Sequence, residues 1–240
     1  MSEFQRPGST YVVNEDKAAI NAYLTRVFTI MGIGLGVTAV IAFALFAWLS
    51  TGGIALLGSW GFMGTILLVV AQLGITIALS RGITKYSTQT CTILFYVYCA
   101  LTGITFSILP FAYDVGTLFT AFAFAAVLFI SCAVIGHTTK VDLTRFQGLL
   151  LGGLLALILM SVLSLFIPAF QGMNLIIGYI GLILFLILTA FDIQKIKQYY
   201  YGVGEGEIKD NLAIFGAFQL YLDFINIFLY ILRILGNRRD

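Results

Sequence analysis

The fold class this chain predicts is all-α: a polytopic membrane protein built as a seven-helix bundle. Three observations predict it. Of 240 residues, 60% are hydrophobic and 10% charged, and mean hydropathy is +1.01; a soluble domain carries about 25% charged residues. The charged residues fall almost entirely between apolar runs, as spanning helices require. The runs are continuously apolar rather than alternating, which argues against a β-barrel.

Seven apolar segments follow one another: Arg26–Leu49, Ile54–Ser80, Gln89–Pro110, Val115–Gly136, Gln147–Pro168, Met173–Phe191 and Asn211–Leu235. Each is long enough to cross a hydrocarbon core of about 30 Å at about 1.5 Å per residue. The division is a polar N-terminal tail over 1–25, one transmembrane domain over 26–236 and a short basic C-terminus over 237–240. The polar tail lacks a short apolar stretch with a small-residue cleavage site, so no cleaved signal peptide is expected.

The connectors alternate in kind. Ser50–Gly53, Phe111–Asp114 and Ala169–Gly172 are short and contain no Lys or Arg. Arg6, Lys17 and Arg26 lie at the start. Arg81 and Lys85 follow the second span, Lys140 and Arg145 the fourth, and Lys195, Lys197 and Lys209 the sixth. This bias places the N-terminus in the cytoplasm. Arg233, Arg238 and Arg239 break the pattern. Either the last segment crosses despite them, or it dips in and returns. Its length, about 37 Å as a helix, favours crossing. Gly32/Gly36 and Gly148/Gly152 match the small-residue spacing of close helix packing.

Polar residues inside the apolar segments point to function. In the last segment Gln219, Asp223, Asn226, Tyr230 and Arg233 recur at helical spacing, so they share one face. Such a stripe must face protein or water. It serves either as interhelical hydrogen bonds or as the lining of a site. Asp223 favours a site, because an ionised carboxylate in hydrocarbon costs several kcal/mol. Asp192, at the end of the sixth span, either reaches headgroups and Lys195 or turns inward. If its helix runs on to Tyr201, Asp192 lies about 13 Å from the helix end and Asp223 about 18 Å into the next helix. The two carboxylates then stand at similar depth. Together in a poor dielectric they cannot both ionise cheaply, so they titrate as a unit. A shared proton at low pH would hold the helices together; at higher pH repulsion would open the site or recruit a cation. Ca²⁺ takes six to eight oxygens. Two Asp with Gln219, Asn226 and Thr189 make a partial shell completed by water, which suits a transit site.

The remaining special residues are bland. Cys91, Cys99 and Cys132 show no metal spacing and read as packing thiols. His137, the single histidine, reads as a surface residue of a connector, and Asp114 and Asp142 as solvated or capping residues. A net charge of +2 does not point to nucleic acid; the bilayer is the partner the composition implies.

Several stretches resemble the Bax-inhibitor family of membrane proteins, its bacterial inner-membrane branch in particular. They are Gly136-His-Thr-Thr-Lys-Val-Asp-Leu-Thr144, Leu101-Thr-Gly-Ile-Thr-Phe-Ser107, Leu188-Thr-Ala-Phe-Asp-Ile-Gln-Lys195 and Leu220-Tyr-Leu-Asp-Phe-Ile-Asn226. The resemblance covers nearly the whole chain. It implies a bundle with the last helix central and a pH-dependent calcium leak, with Asp192 and Asp223 as sensor and gate and Ca²⁺ as permeant ion rather than bound cofactor. It also implies a basic partner for the pair, for which Arg81 is the candidate. The chain departs from the family where Phe191-Asp-Ile193 stands in place of Tyr-Asp-Thr. It also departs in a longer connector between the two Asp motifs. The alternatives are a regulator that binds other membrane proteins, such as a membrane protease, and an intramembrane aspartyl protease. The second lacks its Gly-x-Gly-Asp signature, since Leu220-Tyr-Leu222 precedes Asp223. A carrier of small organic substrates has no unwound-helix signature in its favour. No enzymatic activity is expected.

Overall fold

The computed structural model describes residues 8–166 and 174–236. Among them the elements run α1 (Gly8–Trp48), a π-type segment Leu49–Gly53, α2 (Ile54–Gly82), α3 (Thr88–Phe106), α4 (Leu109–Ala112), α5 (Val115–Thr138), a 3₁₀ turn Leu143–Phe146, α6 (Gln147–Phe166), α7 (Asn174–Gly202) and α8 (Glu207–Leu235). Seven of these helices are long and apolar enough to cross a membrane. No strand occurs among the described residues. The bundle expected from composition is therefore the observed fold.

Two boundaries differ from the sequence reading, each for a physical reason. Helix α1 begins at Gly8, inside the stretch read as a polar tail. Ile20, Tyr23, Leu24, Val27 and Met31 recur at three- and four-residue steps and are buried, so the helical apolar face starts before Arg26. The third span breaks after Phe106 and resumes as the short α4. Pro110 is the cause: its ring lacks an N–H and would press on the carbonyl four residues back, that of Phe106. The connector 169–172 and the basic terminus 237–240 lie outside the described residues.

Helix α8 is central. It packs against α1, α3, α5 and α7, and its most extensive contact is with α7. Its apolar side chains are buried nearly all round, from Leu212 through Phe218, Phe224 and Ile227 to Leu232. A helix buried on nearly every side lies in an interior, and its polar stripe is then turned to protein rather than to lipid. The other helices fit around it through small residues. On α5, Ala121, Ala125, Phe129, Ala133 and Gly136 form one buried stripe. A Cβ on Gly136 would strike the Ala190 backbone, so that glycine lets α5 cross α7 closely. On α3, a Cβ on Gly103 would stand 2.8 Å from the Thr38 carbonyl oxygen of α1. The Gly32/Gly36 and Gly148/Gly152 pairs are not crossing points: a Cβ at any of the four would meet nothing within 4 Å. Spacing identifies a face that permits close approach, but what lies opposite decides whether it is used.

The basic connectors gather at one end and are tied down by α7 and α8. Asn211 donates to the carbonyls of Ile83 and Tyr86 at 2.9 and 2.8 Å. Glu207 accepts the Thr88 backbone N–H at 3.0 Å, and Arg26 pairs with Asp210. From α7, Gln194 accepts from Leu143 N–H at 2.9 Å and donates to the Val141 carbonyl at 2.7 Å. Lys197 donates to the His137 carbonyl at 3.0 Å. Both polar connectors α2–α3 and α5–α6 are thus anchored to the helices that carry the two aspartates.

Candidate functional site

The candidate site is the α7–α8 seam, about midway along the two helices. On α7, Phe185, Thr189, Asp192 and Ile196 are all buried and spaced by four, three and four residues, so they share the face turned inward. Asp192 is 7% exposed and Asp223 is 5% exposed. The reading in which Asp192 reaches the headgroups is therefore set aside; its side chain is inside the bundle. The two carboxylates are near enough for the charge of one to act on the other.

Neutral groups reach across the seam in both directions. Gln219 of α8 donates through Nε2 to Asp192 Oδ1 at 3.4 Å. Its Oε1 accepts from the Tyr199 hydroxyl of α7 at 3.2 Å. The Thr189 side chain of α7 reaches the Asp223 carboxylate, while its hydroxyl donates to the Phe185 carbonyl at 2.8 Å. Asp223 Oδ2 is buried and has no hydrogen-bond partner. Leaving a buried acceptor unmade costs about 1–3 kcal/mol, and more if it is charged. The core therefore carries an uncompensated cost at this carboxylate oxygen; among the described residues Tyr23 Oη, Asn211 Oδ1 and His137 Nδ1 are also buried without a partner, but none of them belongs to a carboxylate.

The remaining members of the α8 stripe divide. Asn226 donates to its own helix, at the Leu222 carbonyl, 2.8 Å away. The Tyr230 ring packs on Phe185, 5.7 Å between centroids, in the space left by Gly181. Arg233 is exposed, with its guanidinium 5.7 Å from the Tyr230 ring. Helical spacing brought five residues to one face, but only Gln219 and Asp223 meet α7 at the pair. Arg81 is not brought to it: the residue is exposed and forms no ion pair among the described residues. It lies at the very end of α2, beside Gly82 and the connector. The cation whose charge reaches Asp192 is Lys195, one turn further along α7. Its ammonium also stands 5.8 and 5.9 Å from the rings of Phe191 and Tyr199.

Other expectations can be placed. Asp114 caps α5, accepting from Gly116 N–H at 2.7 Å, and Asp142 caps the 3₁₀ turn, accepting from Thr144 N–H at 3.1 Å. The three cysteines are free, with Cys91 and Cys99 buried. His137 is a correction. It lies in the last turn of α5, half-buried, with Nδ1 shielded and unpartnered. Among the described residues no cluster of three or more His, Cys, Asp or Glu could hold a metal ion. The two carboxylates, Gln219 and Thr189 make up a partial oxygen set, so a Ca²⁺ there would keep much of its water.

Sequence reasoning missed a second polar cluster on the opposite side of α8. Thr38 of α1 donates to the carbonyls of Gly34 and Cys99 at 3.1 and 3.0 Å. Its oxygen is 2.7 Å from the Tyr221 hydroxyl, which acts as donor because the Thr38 proton is engaged. Beside them Thr102 donates to the Tyr98 carbonyl at 3.0 Å and accepts from Gln72 Nε2 at 3.1 Å. These residues come from four helices, so no periodicity within one segment links them. An apolar cavity of about 340 Å³, lined by Phe43, Phe46, Phe106, Phe119, Phe122 and Phe228, opens at the end away from the basic connectors. It offers no polar group to the pair.

With that geometry in view, the comparisons decide the family. The family model described as inhibitor of apoptosis-promoting Bax1 matches residues 20–240. The chain belongs to this family. Its relatives include an uncharacterized protein of Borreliella burgdorferi, 38% identical over 92% of this chain and 94% of that one. Protein RP147 of Rickettsia prowazekii is 37% identical over 92% of each chain. The inner membrane protein YbhL of Escherichia coli is 34% identical over the full length of both. The Bax-inhibitor chain described here thus aligns with these bacterial relatives over nearly all of its length, including both aspartate-bearing helices.

Proposed function

We propose that this protein is a calcium leak of the bacterial inner membrane, gated by the charge state of Asp192 and Asp223. The observation that carries the reading is Asp223 Oδ2, buried and unpartnered beside a second buried carboxylate. A group kept at such cost calls for a use, and the pair is suited to exchanging a proton for a cation. With one proton shared, the helices stay closed. Once both carboxylates ionise, they repel each other and become a site for a partly hydrated divalent ion. Flux then rises with pH. Asn211, Gln194 and Lys197 tie the connectors to α7 and α8, so separating these helices would shift that whole end of the bundle.

The Lys and Arg bias supports placing that end, and the N-terminus, in the cytoplasm. The name of the Escherichia coli relative supports the inner membrane. The residues Leu220-Tyr-Leu222 before Asp223 favour a conduction site over a protease. The test is Ca²⁺ flux into proteoliposomes between pH 5 and 8. Wild type is expected to show a pH-dependent flux that Asp192→Asn flattens. A normal pH profile in that variant, and in Asp223→Asn, would remove the pair from the mechanism.

A further inference from the structure

The pair is not symmetric, and the reason lies two turns away. Tyr199 is seven residues beyond Asp192 on α7, and Gln219 is four residues before Asp223 on α8. Their hydrogen bond therefore straps the seam on the side of the basic connectors. A glutamine amide has two unlike ends, a carbonyl that accepts and an NH₂ that donates. Here the Tyr199 hydroxyl occupies Oε1 at 3.2 Å, which turns Nε2 toward Asp192 Oδ1 at 3.4 Å. The contact is long for an N–H···O bond, but a carboxylate strengthens such contacts by its charge. No corresponding donor reaches Asp223 Oδ2.

We propose that Tyr199 and Gln219 are positioning residues that keep the pair's negative charge on Asp192 and its exchangeable proton on Asp223. This rests on the reading of the pair as a gate. The surrounding groups agree with it. On α7, Lys195 places a cation near Asp192, and the Thr189 hydroxyl that faces Asp223 gives its own proton to the Phe185 carbonyl at 2.8 Å, leaving its oxygen to accept one. On α1, Tyr23 approaches Tyr199, with its ring tilted against that of Tyr200 at 5.4 Å between centroids, and Arg26 is already paired with Asp210 of α8. Helix α5 brings no Asp, Glu, Lys or Arg to the seam; its titratable side chains are Cys132 and His137. Among the described residues, nothing else facing the pair supplies a donor to Asp223 Oδ2.

Two measurements test the proposal. Infrared spectra of the purified protein near neutral pH read the proton directly. The carboxylic-acid C=O band is expected to vanish in Asp223→Asn and persist in Asp192→Asn; the reverse pattern overturns the assignment. The flux profile tests the strap. Tyr199→Phe and Gln219→Met each remove support for an ionised Asp192, so the closed state gains a form with the proton on Asp192, and the conducting state, with both carboxylates ionised, needs a higher pH. Each is expected to move the flux midpoint up by about one pH unit. Because Tyr199 acts through Gln219, adding Tyr199→Phe to Gln219→Met should shift it no further. No shift in Tyr199→Phe, or an equal additional shift in the double variant, overturns the strap. Thermal unfolding in detergent separates misfolding from a true shift, since the phenylalanine variant keeps the ring. If instead both aspartate variants keep the wild-type flux profile, the gate reading itself falls, while the infrared result still stands or fails alone.

Discussion

The two sides of α8 both bury polar groups, and they treat them differently. On the α1–α3 side, Tyr221, Thr38 and Thr102 are neutral and each of their hydroxyls has a partner. On the α7 side, two carboxylates share the seam and one oxygen has none. Satisfied neutral networks hold helices together, each bond contributing about 1 kcal/mol or less in a membrane. An unsatisfied carboxylate subtracts from stability, so its presence is explained by what it does. Burial alone would not have told the two apart, since Tyr221 and Asp223 lie two residues apart and both are buried.

Variants can sharpen or break that contrast. The largest effect is expected at the close crossings among the helices that surround α8. Gly136→Ala puts a methyl against the Ala190 backbone, and Gly103→Ala puts one against the Thr38 carbonyl. Each should cost about 3 kcal/mol in thermal unfolding in detergent micelles, whereas Gly32→Ala should be near neutral. Asp223→Asn comes next. It cannot ionise, so it should unfold at a higher temperature than wild type at pH 8, by the equivalent of about 1–3 kcal/mol, and at a similar one at pH 5. A loss of stability at both pH values would mean that the carboxylate is a structural partner like Tyr221. On the satisfied side, Tyr221→Phe should cost about 1 kcal/mol and leave the flux profile in place; a shifted profile would merge the two clusters into one device.

The smallest effect is expected at Asp142. The Thr144 hydroxyl, with help from Thr144 N–H and Arg145, holds its carboxyl below the usual range. A depressed group contributes fully above its unfolded value near 3.9 and is lost only as pH falls below it. Asp142→Asn should therefore leave the response between pH 5 and 8 unchanged. Arg81→Ala should do the same.

Much of this was legible in the sequence because the bilayer simplifies the code. Apolar length alone located all seven spans. The three- and four-residue steps around Asp223 put Gln219 on its face, and depth matched Asp192 to it. What was not legible depends on the partner surface. Gly148 and Gly103 look alike in sequence, and only the helix opposite makes one of them a crossing point. Tyr221, Thr38 and Gln72 are single polar residues in separate runs, and only the bundle joins them. The break after Phe106 could have been read from Pro110, whose effect reaches four residues back.

The account turns on Asp223, and one measurement addresses it most directly: Ca²⁺ flux in proteoliposomes as a function of pH for Asp223→Asn beside wild type. The account predicts that wild-type flux rises as pH increases and that the variant's flux is pH-independent. A variant whose flux keeps the wild-type rise and midpoint would contradict it.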